Sequence, residues 1–168
     1  MKYAHSIKLN VFSHDNENSD IILNSFLKFF PFSLEENKII LNKTNAKGFN
    51  ESTIDIFEAV LTKANLISKF LEFILNNLSQ EQKQTILKHA ESRLDEDLDF
   101  FIRFDKDEWI SNNKLELTDS GKCFHLNISI AAFPKKREVA LNTIKELFSS
   151  NRKISNKNNF NLLPLRQH

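Results

Sequence analysis

The sequence predicts an α+β domain, a two-layer α/β sandwich in which a mainly antiparallel sheet carries its helices on one face. Three observations lead there. Alternating apolar and polar residues recur over 5–12, 98–105 and 124–132, the period of half-buried strands. Wide apolar stripes at helical spacing occupy the middle of the chain and residues 135–149. Strands and helices come in an irregular order, without the strict alternation that makes a parallel sheet.

In the first strand, His5, Ile7, Leu9 and Val11 share one face and Ser6, Lys8, Asn10 and Phe12 the other, so His5 reads as a core histidine. A helix over 19–30 follows, with Ser19 as N-cap, Ile22, Leu23, Phe26, Leu27 and Phe30 facing inward, and Pro31 as the stop. Lys38–Lys43 reads as a short strand, then a loop around Gly48 and a β-rich segment from Thr53 to Thr62 whose two faces are both partly apolar. Ile67, Phe70, Leu71, Ile74, Leu75 and Leu78 give a helix over 65–78. Ser79 and Gln82 form a capping box that opens another helix reaching Leu94. In the next strand Leu98, Phe100, Ile102 and Phe104 point inward, and Asp99, Phe101, Arg103 and Asp105 outward. Leu115 and Leu117 suggest a short strand, and Asp119 to Lys122 a turn. The clearest strand follows, with Phe124, Leu126, Ile128, Ile130 and Ala132 inside and His125, Asn127 and Ser129 outside. A helix over 135–149 closes the domain, assigned to residues 1–149. Residues 150–168 are rich in Asn, Ser and Lys, have no period, and read as a mobile basic tail.

Composition excludes several function classes. Sixteen Phe against one Trp, one Tyr and one Met describe a core of Phe, Leu and Ile. The two glycines, Gly48 and Gly121, stand far apart, so no glycine-rich phosphate cradle of the Walker or dinucleotide type exists, and no cofactor is expected. A single cysteine, Cys123, allows no internal disulfide. No apolar signal core opens the chain and no run of about 18 apolar residues spans a membrane, so a cytoplasmic location is expected.

Net charge is +1, yet residues 135–168 carry eight Lys and Arg against two Glu, a local +6 that leaves −5 on the rest. Such asymmetry fits a basic end that meets a polyanion. Lys135, Lys136 and Arg137 are expected in the first turn of the last helix, against its dipole, where a phosphate would offset them. The plainer reading places these cations in the preceding loop, with Glu138 compensating. Arg152 and Lys153 extend the basic end into the tail. If the helices cover one sheet face, the other displays Lys8, Asn10, Phe12, Phe101, Arg103, His125, Asn127 and Ser129. Phe101 beside Arg103 offers a surface for base stacking with cations for phosphates, and in a dimer Phe12 and Phe101 would be covered.

Three segments resemble an archaeal RNA-binding family described as a predicted exosome subunit: Ala4-His5-Ser6, Ile102-Arg103-Phe104-Asp105-Lys106, and Ala131-Ala132-Phe133-Pro134-Lys135-Lys136-Arg137-Glu138. Their order and spacing match over residues 3–148. The resemblance implies a fold similar to the ribosomal protein that binds 5S ribosomal RNA, RNA binding without catalysis, and partners among exosome or ribosome components. Where the family tends to have a Gly-Asn-Pro-like turn, this chain has Gly48-Phe49-Asn50-Glu51-Ser52.

The leading expectation is therefore a non-enzymatic RNA-binding protein. One alternative is a homodimerising interaction module with the open sheet face as its interface, or equally an ordinary solvated face. Another is a Mg²⁺-dependent nuclease using the acidic run Glu91, Asp95, Glu96, Asp97 and Asp99, although such runs are usually solvated helix ends. Cys123 reads as inert packing.

Overall fold

A computed structural model describes residues 2–48 and 52–149. The elements run β1 (Ala4–His14), α1 (Ser19–Leu27), β2 (Asn42–Lys47), β3 (Thr53–Leu61), α2 (Ala64–Asn77), α3 (Gln80–Lys88), α4 (Ala90–Arg93), β4 (Asp99–Asp105), α5 (Lys106–Asn112), β5 (Cys123–Ile130) and α6 (Arg137–Ser149). The five strands form one sheet in the order β2-β3-β1-β5-β4, and every neighbouring pair is antiparallel. This is the α+β architecture expected from the sequence.

One face of the sheet makes the core. Ile7, Leu9 and Val11, Phe57, Ala59 and Leu61, Phe100, Ile102 and Phe104, and Phe124, Leu126 and Ile128 are all buried in one apolar cluster with residues of α1, α2 and α6. The stripe of α2 lies in it as expected, with Ile67, Phe70, Leu71, Ile74, Leu75 and Leu78 buried. Phe29 stacks against Trp109 at 4.5 Å and Phe124 at 4.9 Å between ring centroids, tying the end of α1 to α5 and β5.

Several expectations are corrected. His5 is exposed, because a register shift between Ala4 and Ser6 puts Ala4 rather than His5 on the core side. Asn18, not Ser19, caps α1, its Oδ1 accepting from the amides of Asp20 and Ile21. That helix ends at Leu27, and Phe29 and Phe30 continue it as tighter turns onto the carbonyls of Phe26 and Leu27. The strand expected over Lys38–Lys43 starts only at Asn42, since Lys38 has a positive φ of 59° and Ile39 and Leu41 pack against the core before the ladder begins. The long helix after Ser79 breaks at His89 into α3 and α4, although the capping box is present. Leu115 and Leu117 build no strand, and Leu117 makes a single bridge to Phe104. Helix α5 is not anticipated at all. Asp105 caps it by accepting from the Glu108 amide, and Asn113 closes it in the left-handed conformation.

Two interactions fasten α5. The Phe29 amide bonds the Phe26 carbonyl, leaving the Ser25 carbonyl at the end of α1, and Trp109 Nε1 donates to it at 2.7 Å. Lys106 is 1% exposed, and its Nζ donates to the Phe12 carbonyl at 2.6 Å while pairing with Glu17 at 3.2 Å. A buried ammonium is tolerated only with such partners.

In β3, Ile54, Ile56, Glu58 and Val60 point to the open face of the sheet, an orientation that the sequence left undecided.

Candidate nucleic-acid interface

Strand pairing fixes which open-face residues are neighbours. Lys8 and Phe101 each pair with Asn127, making one row across β1, β5 and β4. Asn10 and Arg103 each pair with His125, making the next row. Neighbouring strands lie roughly 4.8 Å apart, so the six residues form one compact patch. Within it the Phe101 and His125 rings lie side by side, 5.2 Å between centroids and 31° between planes. The sheet thus brings together Lys8, Phe101, Arg103, His125 and Asn127.

The electrostatics of the patch follow from its neighbours. The His125 imidazole is held below the ordinary histidine value, first by burial and then by the charges of Arg103 and Lys8. Asn127 Oδ1 is buried with no hydrogen-bond partner among the described residues, leaving an acceptor in the middle of the patch. Asp99, beside it, is raised above the ordinary carboxylate value, first by burial and then by Asp95, while hydrogen bonds from Ser129 and Asn127 act the other way. Burial likewise pushes the Cys123 thiol up, away from a reactive thiolate.

At the β4 side the patch runs into a cleft of about 910 Å³. Phe101, Arg103 and His125 form its floor, and Thr85, His89, Ser92 and Arg93, from α3 and α4, form its opposite wall. Arg103 Nη1 donates to the Asp119 carbonyl at 3.1 Å, drawing the 117–119 segment alongside β4. His89, Ser92 and Arg93 were missed by sequence reasoning. Their only sequence signal is a polar cluster at a helix end, and His89 stands where α3 gives way to α4.

The cation cluster stands apart. Helix α6 begins at Arg137, so Lys135 and Lys136 lie in the preceding loop, not in a first turn. Both are exposed, and the Lys136 carbonyl accepts from the Ala140 amide. Arg137 is engaged within the fold, its guanidinium donating to the carbonyls of Leu94 and Glu91 and tying α6 to the end of α4. Lys135 lines a second depression of about 570 Å³ with Lys2, His5 and Ser129 at the far end of β5, where Phe133 is 98% exposed. Arg152 and Lys153 lie outside the described residues.

Within the acidic run, Asp95 is spent on a turn, its Oδ1 accepting from the amides of Asp97 and Asp99 at 2.9 Å. Among the described residues no group of three or more His, Cys, Asp or Glu is placed to hold a metal ion. None of their helices is long and apolar enough to cross a membrane.

Fold and face together define a small α+β protein whose open antiparallel sheet carries an aromatic and imidazole pair between cations. A family model described as RNA binding matches residues 6–130, and the chain belongs to this RNA-binding family. It is 27% identical over 143 residues to the RNA-binding protein PAB1135 of Pyrococcus abyssi, covering 85% of this chain and 92% of that one. Among solved structures it is similar to protein AF2318 from Archaeglobus fulgidus, with a TM-score of 0.76 and 26% identity over 86% of this chain and 99% of that one. Mth689 from Methanothermobacter thermautotrophicus shares the fold, with a TM-score of 0.71 and 21% identity over 87% of this chain and 98% of that one.

Proposed function

We propose that this protein binds single-stranded RNA on its open sheet face, without catalysis. Bases stack against Phe101 and His125, and Lys8 and Arg103 meet the phosphates. The observation that carries this reading is the Phe101 and His125 ring pair flanked by Lys8 and Arg103 in adjacent rows. Stacking on an aromatic side chain contributes roughly 1–3 kcal/mol per base. The two rows are polar and charged around Phe101 and His125, which suits a wet nucleic-acid interface, while Phe12, Ile54, Ile56 and Val60 make the neighbouring β1–β3 part of the same face apolar. Exposed Lys135 and Lys136 meet further phosphates at the other end of β5, and the basic residues of the tail extend them.

Replacing Phe101 by Ala tests this directly. The affinity for single-stranded RNA falls about tenfold at fixed salt, and the sedimenting mass does not change. Unaltered affinity contradicts the proposal. A wild-type dimer that turns monomeric on Phe101→Ala, with RNA affinity intact, assigns the face to a subunit interface instead.

The partner complex implied by the sequence resemblance is part of the same proposal: the protein works with exosome or ribosome components in the cytoplasm. Co-purification of such components with the tagged chain, persisting after nuclease treatment, is the expected result. Recovery of RNA alone would restrict the function to RNA binding.

A further inference from the structure

We propose that the cleft between the β4 edge and helices α3 and α4 holds the terminal phosphate of an RNA strand, a phosphomonoester at one end of the chain lying across the sheet. This rests on the sheet-face reading above and adds to it which part of the RNA sits where. The cleft, at about 910 Å³, has the size of a ligand site and opens directly onto the Phe101 and His125 pair. Its charged lining is Arg93 and Arg103 against the single carboxylate residue Asp119.

Arg93 points to an anion independently of the cleft's shape. Its Nε is buried and has no hydrogen-bond partner among the described residues. A buried charged N–H without an acceptor is unfavourable, and a phosphate oxygen is the acceptor that guanidinium geometry suits best. Neither Arg93 nor Arg103 makes a salt bridge among the described residues, so both charges are available to an incoming anion. A phosphomonoester carries roughly −1.5 to −2 near neutral pH, whereas a phosphodiester within the strand carries a single charge, so two guanidinium groups match the terminal group.

The surroundings favour an end over a continuing strand. Beyond Thr85 and Leu117 a third depression, distinct from the one at Lys135, adjoins the cleft, and its charged lining is Glu81 and Glu116 against Lys114. A phosphate backbone extended past the cleft would run into that negative charge. In the other direction it meets Lys8 on the open face.

The test uses the full chain and three uridine oligonucleotides of one length: one with a 5′-phosphate, one with a 3′-phosphate, and one with hydroxyls at both ends. One of the phosphorylated strands is expected to bind about tenfold or more tightly than the hydroxyl-ended strand. Which one does so identifies the end that enters. Arg93→Gln is expected to remove the difference, so that phosphorylated and hydroxyl-ended strands bind alike. Ser92→Asp, on the exposed wall of the cleft, is expected to do the same by repulsion, which covers the case in which Arg93→Gln fails to fold. Equal affinity of the wild type for all three strands overturns the terminal-phosphate site and leaves the sheet-face reading standing. Failure of all three strands to bind overturns both.

Discussion

His125 shows how a single residue couples the face to its charges. Burial, and then Arg103 and Lys8, hold its imidazole neutral below the ordinary histidine value. A group that protonates less readily in the folded chain than in the unfolded one contributes stability that is fully present above the unfolded value, about 6.5. That stability is lost as pH falls through the unfolded value toward the lower folded one. Urea unfolding at about pH 7.5 and about pH 5 should therefore show a larger loss for the wild type than for His125→Gln. Because His125 is half-buried, solvent screening keeps the difference modest. Equal losses would show that its surroundings do not perturb this imidazole. Asn127 also belongs at this scale. Its buried Oδ1 has no hydrogen-bond partner among the described residues, a feature invisible in a sequence where Asn127 is simply an outward residue of a strand.

Among the elements, α5 and the start of α6 fasten helices to one another, α5 to the end of α1 and α6 to the end of α4. Trp109→Phe keeps an aromatic ring but removes the donor to the Ser25 carbonyl, and should lower stability by about 1–3 kcal/mol in denaturant unfolding. No change would mean that another group reaches that carbonyl. The basic segment before α6 divides by role. Arg137→Ala should lower stability, because its guanidinium joins α6 to the carbonyls of Glu91 and Leu94. Lys135→Glu with Lys136→Glu should leave stability nearly unchanged while weakening RNA binding. It should also reduce the slope of log affinity against log salt by up to about 0.7 for each phosphate that these lysines neutralise. An unchanged slope would remove both lysines from the interface.

At the scale of the molecule, the sheet was largely legible because period-two alternation over 99–105 and 124–130 survives into the structure with the same residues facing inward, although the last strand stops at Ile130 short of Ala132 and Leu98 precedes β4 at a positive φ. The apolar stripe of α2 was legible for the same reason. Breaks in that regularity were not. The shift between Ala4 and Ser6 moved His5 off the core, and a single residue, His89, split one expected helix into two. Helix α5 was hidden because Asp105 ends an alternating strand and caps a helix at once, although Asp105 with Glu108 three residues later is itself a start signal. The Lys8, Phe101, Arg103, His125 and Asn127 group was readable as a set of outward residues, but its grouping depended on strand order. The order β2-β3-β1-β5-β4 is what sets β1 and β4 on either side of β5. The cleft wall from α3 and α4 lay beyond any periodicity argument. Ultraviolet crosslinking of the protein to single-stranded uridine RNA, followed by mapping of the crosslinked residues, tests the central claim most directly. Crosslinks concentrated on Phe101, His125 and their neighbours in β4 and β5 are the predicted result. Crosslinks confined to the helices covering the opposite face, with β4 and β5 unmodified, would contradict it.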